Sequence, residues 1–351
     1  MRHLLIYTII LFLTSASFAQ ANQQWITHGT NVRARALPAT TGEEVARLPI
    51  GTILRQLDND RRADSIGGKQ DFWYHVALPS GKEGWAFGTF LTRFEDRRKG
   101  EIYKTIAVAK LADKSEADKL NDERSSGEKH AEFADFLRFL IAVLPEVTDR
   151  ATRAELELWR WVALSKALGE YPDDTVYQRF LKANKPYAIS AEVDLAWLLK
   201  PEVLWNLQKK YADLPIADTI AWEATKLRLP GECEGDDMCY LYVLNLTTTK
   251  YLQLYPKGNH ADEALDGVIG FLEESLEQFK QEEADRAAVI ATRKTSTKEK
   301  KYSPKILAEV AKTKADYLAR IAKLRTNIAK VASPKKTKLL QLLGQYEKHY
   351  R

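Results

Sequence analysis

Cysteine, methionine and histidine are scarce in this chain: two, two and six residues in 351. Two cysteines are too few for a disulfide-built scaffold. They sit in PGECEGDDMCYLY, with no further thiolate or imidazole nearby to complete a zinc site. In an oxidising compartment Cys233 and Cys239, six positions apart, are expected to close a small disulfide loop. Their neighbours Glu232, Glu234, Asp236 and Asp237 would raise a thiol pKa, which opposes a cysteine-peptidase reading. Beyond the N-terminus the histidines are His28, His75, His130, His260 and His349, scattered and without His-x-x-x-His spacing, so a zinc hydrolase is not indicated. His260 and Glu263 could offer two ligands on one helical turn, but the pattern reads as a solvated turn rather than a metal site. A glycine-rich phosphate loop and a serine elbow are both missing.

Long apolar runs are missing too. The only candidate, residues 4–13, has ten residues, against roughly 20 for a membrane-spanning helix. It follows Arg2 and His3 and precedes Ser17-Phe18-Ala19 and Ala19-Gln20-Ala21, both small-x-small sites. Residues 1–19 therefore read as a cleaved signal peptide, and the protein as periplasmic or extracellular with no membrane span. The net charge of +5 conceals a gradient. Residues 281–351 carry 18 Lys or Arg against 7 Asp or Glu, a balance of +11. With +1 on the leader, residues 20–280 are left at 5 − 1 − 11 = −7.

What is present after the leader is first strand-like, then helical. Between Trp25 and Phe94, EVARLPIG, TILRQL, WYHVAL and EGWAFG alternate apolar with polar residues. Turn signals at Pro38, Gly42, Asn59-Asp60, Gly67-Gly68 and Pro79-Ser80-Gly81 separate them. Short strands at this spacing call for a small closed barrel. Val76 and Trp85 are expected to point into it and Arg33 to brace the first loop. Alternatively, Trp25, Arg35, Trp73, Tyr74 and Phe87 line a groove where the rings stack on sugar or peptide and Arg35 meets a carboxylate.

The order Asn31-Val32-Arg33, Pro38, Gly51, Trp73 with Val76, Gly81 with Gly84-Trp85, and Leu91 resembles the bacterial SH3-like (SH3b) domain over about 70 of the 351 residues. Ala34-Arg35-Ala36-Leu37 departs from the family's Ser-Gly-Pro after the arginine, and residues 58–70 form a longer, more polar loop. The resemblance implies a cell-wall or peptide-targeting module and no chemistry of its own.

Past Glu101 the apolar period becomes helical. Residues 110–131 are highly charged and read as a solvated helix or linker. Four phrases then end a helix, place a proline and start another helix, at Pro145, Pro172, Pro215 and Pro256. Two of the intervals, 43 and 41, suit helix-pair repeats of an α-solenoid, while an irregular bundle remains the alternative. YPKGNHADEAL weakly resembles the tetratricopeptide turn. Trp159, Trp161, Trp197, Trp205 and Trp222 fall in helical apolar stripes and read as core.

Residues 262–285 hold nine acidic residues against one lysine, with an apolar stripe at Leu265, Val268, Leu272, Leu276 and Phe279. A basic helix follows, capped by Ser303 with Pro304 at its first position and an apolar stripe from Leu307 to Val331. The two predict an antiparallel hairpin with facing charges. Asn245-Leu-Thr247 matches a glycosylation acceptor, and Glu274 in FLEESLEQF lacks the Gly- and Gln-rich motif that a transglycosylase glutamate would carry.

The expected architecture is multi-domain α+β: leader 1–19, SH3-like barrel 22–95, charged linker or helix 96–131, helical repeat-like domain 132–280, and basic helices 281–351 packed on the acidic helix 262–285. The expected function is a non-catalytic binding or scaffold protein of the cell envelope that meets wall glycan or peptide, or an envelope protein, without cofactor, metal or nucleic acid. Residues 294–338 offer peripheral contact with an anionic polymer or lipid. The different-class alternative is a wall-remodelling enzyme with its site in the helical region.

Overall fold

The computed structural model describes residues 23–59, 62–112, 126–169, 175–192, 195–292 and 303–350. The leader, Pro172 and most of the charged stretch 110–131 lie outside them. The chain divides into two compact units, Met1–Ala188 and Ile189–Arg351.

The first unit opens with strands β1 (Gln24–Thr27), β2 (Val32–Arg35), β3 (Glu44–Leu48) and β4 (Ile53–Asn59). After a separate small hairpin, β5 (Asp64–Ile66) and β6 (Lys69–Asp71), come β7 (Trp73–Ala77), β8 (Glu83–Phe87) and β9 (Leu91–Phe94). Apart from β5 and β6, these make one antiparallel sheet in the order β3-β2-β8-β7-β4-β1-β9. Alternation decides what each strand buries: Val32 and Ala34 of β2 face the core, while Arg33 and Arg35 face away. Val32, Leu48, Leu54, Val76 and Ala86 form the centre of that core. Gly51 turns the chain into β4 at φ 85°, where a Cβ would run into the Phe139 ring.

Among the described residues four α-helices follow in this unit: α1 (Lys99–Ala112), α2 (Ser126–Val143), α3 (Arg150–Ala167) and α4 (Thr175–Asn184). Helix α1 covers the start of the segment read as linker or helix, and it is a packed helix that buries Ile102, Tyr103 and Ile106. The Tyr103 ring lies 6.1 Å from Phe94 of β9 and 5.8 Å from Phe139 of α2, so the sheet's last strand is tied directly to the helices.

At the division between the units lies a hairpin, β10 (Ala188–Ala191) and β11 (Ala196–Leu199), where the sequence predicts only helix. Four-residue strands are too short to impose a readable period, and Trp197 therefore belongs to a strand rather than a helix. Then follow α5 (Pro201–Lys210), α6 (Ile216–Thr225), α7 (Asp237–Leu246), α8 (Thr248–Leu254), α9 (Ala261–Thr292), α10 (Pro304–Asn327) and α11 (Lys335–Tyr350).

Prolines punctuate these helices as the sequence suggests. Pro145 sits in the 3-10 turn after α2, and Pro215 immediately precedes α6. The Pro256 turn is held from α6: Asp218 accepts from the Tyr251 hydroxyl at 2.6 Å and from the Asn259 backbone N–H at 2.8 Å. Burial, and then the hydrogen bond to Asp218, push the Tyr251 hydroxyl pKa up. A buried polar seam joins α7, α8 and α10. Asn327 donates to Thr249 Oγ1 at 2.9 Å, and Asn245 donates to the carbonyls of Leu241 and Arg320 at 2.9 and 3.1 Å. The amide of the glycosylation-like tripeptide is thus 4% exposed and fully engaged.

Ser303 caps α10 by accepting from the Ile306 N–H, with Pro304 next to it. The acidic helix α9 does not pair chiefly with α10, as the hairpin expectation has it, but with α11. Leu265, Val268 and Leu272 of α9 are buried, as are Leu339, Leu343 and Tyr346 of α11. Lys335–Asp266 and Lys338–Glu273, both at 2.7 Å, flank that contact. Helix α10 instead packs on α7, α8 and α11, with Ile321, Leu324 and, just past its end, Ile328 buried, and leaves Leu307 and Val310 exposed. Charge alone cannot choose between two basic helices; the apolar stripe does. No helix among the described residues is long and apolar enough to cross a membrane.

Candidate functional site

The five residues expected in one groove separate into three places. Trp25 and Tyr74 lie on the core side of the sheet, ring centroids 4.5 Å apart, partly closing the hydrophobic core. The Trp25 indole N–H donates to Gln56 Oε1 at 2.9 Å. Burial raises the Tyr74 hydroxyl pKa, and the Asp71 charge adds to this. Trp73 and Phe87 point the other way, because consecutive strand residues such as Trp73 and Tyr74 face opposite sides. Both are 2% exposed, 5.3 Å apart, and the Trp73 indole donates to Asp64 of the β5–β6 hairpin at 3.0 Å. Arg35 stands apart from either pair, donating to the Gly42 carbonyl at 2.7 Å. It is therefore Arg35 that braces the first loop, while Arg33 pairs with Glu44 at 3.4 Å.

What the fold assembles on the outward face is a different row. The register puts Arg35 of β2 opposite Trp85 of β8, and Trp85 opposite His75 of β7. Trp85 is thus not core beside Val76, as the sequence suggests; Val76 faces Gly84, and Trp85 lies one residue out of phase. Gly84 leaves room for this crossing, since a Cβ there would crowd the Arg35 carbonyl and Ala34. The His75 and Trp85 rings stack, 4.9 Å apart and inclined by 20°. Trp85 is half-buried, so one part of its ring system is supported and another is open to solvent. His75 Nε2 lies 3.5 Å from Glu83, on the neighbouring strand.

Beside this stack the charges are unequal. Glu44 meets Arg47 at 2.7 Å and Arg33 at 3.4 Å. The Arg47 hydrogen bond, then the charges of Arg47, Arg33 and Arg35, hold its carboxyl below the usual range. Arg47 and Arg33 contact Glu44, Arg35 adds its charge from nearby, and Glu83 stands by His75, so arginine outnumbers carboxylate beside this aromatic surface. Such a face can stack a sugar ring or a flat side chain and engage a ligand carboxylate with arginine. Trp85 could have been found from EGWAF by fixing the hairpin register through the Gly81 turn, which sits at φ 81°.

The expected disulfide is formed: Cys233 and Cys239 are bonded, closing the loop that precedes α7. Among the described residues no group of three or more His, Cys, Asp or Glu is arranged to hold a metal ion. No protein-family model matches the chain, and no match was found among curated proteins.

Proposed function

We propose that this chain is an exported, non-catalytic binding or scaffold protein of the cell envelope. In this reading the N-terminal sheet is an SH3-like barrel that contacts wall glycan or its peptide, and the helical region, a set of helix pairs, contacts protein. The observation that carries the reading is the Arg35–Trp85–His75 row, an open aromatic stack beside a surplus of arginine. The disulfide supports an oxidising compartment.

Incubation of the purified protein with insoluble peptidoglycan tests it. The protein is expected to sediment with the polymer, to release no soluble fragments, and to lose most of its retention as Trp85→Ala. Fragment release would replace the binder with a wall-remodelling enzyme. Retention unchanged by Trp85→Ala would remove the sheet face from the account.

A further inference from the structure

A cleft of about 510 Å3 opens in the second unit beside α5, α7, α8 and the segment 229–233. That volume is in the range of sites for small ligands. Val243 and Leu246 supply apolar surface, and both cysteines of the disulfide also line the cleft. The charged lining is Lys209 and Lys250 with Glu202 and Glu232, and of the two carboxylates it is Glu202 whose charge bears on Lys250. The Lys250 ammonium stands over the Trp205 indole, 3.8 Å from its ring centroid, and Trp205 itself is buried. Among the described residues neither lysine forms a salt bridge with a carboxylate. Burial, and then the charge of Lys209, lower the Lys250 pKa; Glu202 opposes this and Lys323 adds to it. A desolvated ammonium with a second cation close by is a site that an incoming anion relieves.

We propose that this cleft binds the C-terminal carboxylate of an apolar peptide segment, with the carboxylate at Lys250 and Lys209 and the adjoining side chains on the apolar wall. A peptide terminus fits better than a phosphate, because the cations are lysines on an apolar surface rather than an arginine fork. The assignment rests on the reading that the helical region contacts protein, and it narrows that contact to one chemistry. It uses no residue of the sheet face.

The test titrates the oxidised full-length chain with a fluorescent N-acylated tripeptide of apolar residues, read by anisotropy. The free-acid peptide is expected to bind saturably, and its C-terminal amide roughly tenfold more weakly. Lys250→Met should produce a comparable loss while leaving sedimentation with peptidoglycan unchanged. Glu202→Gln, which removes the carboxylate whose charge acts on Lys250, should tighten binding, a gain that a misfolded variant cannot give. Absence of saturable binding, equal binding of acid and amide, or an unaltered Lys250→Met titration would overturn the assignment. Inorganic phosphate competing at concentrations as low as the peptide would also overturn it, marking a bare anion site.

Discussion

In the first unit Trp85 and His75 stack on the outward face of a sheet, among arginines that reach water. In the second, Trp222 and Tyr251 pack edge to face at 5.3 Å and both are buried, 8% and 0% exposed. Polar groups show the same contrast. Around the sheet face they are exposed ion pairs, whereas the helical unit encloses Asn245, Thr249 and Asn327, and a Ser275–Asp237 hydrogen bond at 3.2 Å. A two-faced sheet can display chemistry on one side while packing on the other. Helices packed on several sides have to satisfy their polar groups internally. Substitutions at the sheet face should therefore alter binding before stability, and those at the helical seam the reverse.

The sharpest way to break this contrast uses two tryptophans of one sheet. Trp73→Ala is expected to cost about 3–5 kcal/mol, because a large buried ring is removed. Trp85→Ala, half-exposed, is expected to cost about 1 kcal/mol or less. Urea unfolding of both variants would measure it, and equal losses would mean that Trp85 is packed as tightly as Trp73 rather than open to a ligand. Next in size is Asn327→Ala, which leaves Thr249 and Asn245 short of a partner. It should cost the second unit about 1–3 kcal/mol without changing retention on peptidoglycan.

A smaller effect is expected at His28, which is bonded to Thr92 at 3.0 Å. Burial lowers its pKa, with Lys69 adding to the shift and a backbone hydrogen bond at Thr89 opposing it. The unfolded chain thus takes up a proton first as pH falls. Stability from this residue is complete above about pH 6.5 and is lost below it. His28→Gln should flatten the urea midpoint of the first unit across that range. The smallest effect belongs to Lys335–Asp266 and Lys338–Glu273, exposed pairs that salt screens. Molar sodium chloride should leave the second unit's melting temperature nearly unchanged. A large drop would show that charge rather than the apolar faces of α9 and α11 holds those helices together.

Features carried by local chemistry were legible in the sequence: the Gly81 turn, the Ser303-Pro304 cap, the cysteine pair, and the stripe Leu265–Val268–Leu272. Relations between elements were harder to read. A ladder shifted by one residue exchanges the faces of every side chain, and the irregularity between Gln56 and Asp58 shifts such a ladder here. Trp73 and Tyr74, adjacent on one strand, could not have lined one face; alternation applied strictly would have said so. The preference of α9 for α11 over α10 depends on matched apolar surfaces, which composition does not encode.

The cross-link before α7 has a consequence for how that helix begins. Glu234 and Gly235 both take left-handed conformations, Asp236 caps the helix, and Cys239 stands in its first turn. A helix of ten residues is too short to initiate readily on its own, since ordering the first turn is the costly step of helix formation. Bonding Cys239 back to Cys233 restricts that turn in the unfolded chain as well as in the folded one. Oxidation therefore acts as a covalent start signal, fixing the residue from which α7 is counted and, through it, the register of Tyr242, Val243 and Leu246 along the cleft.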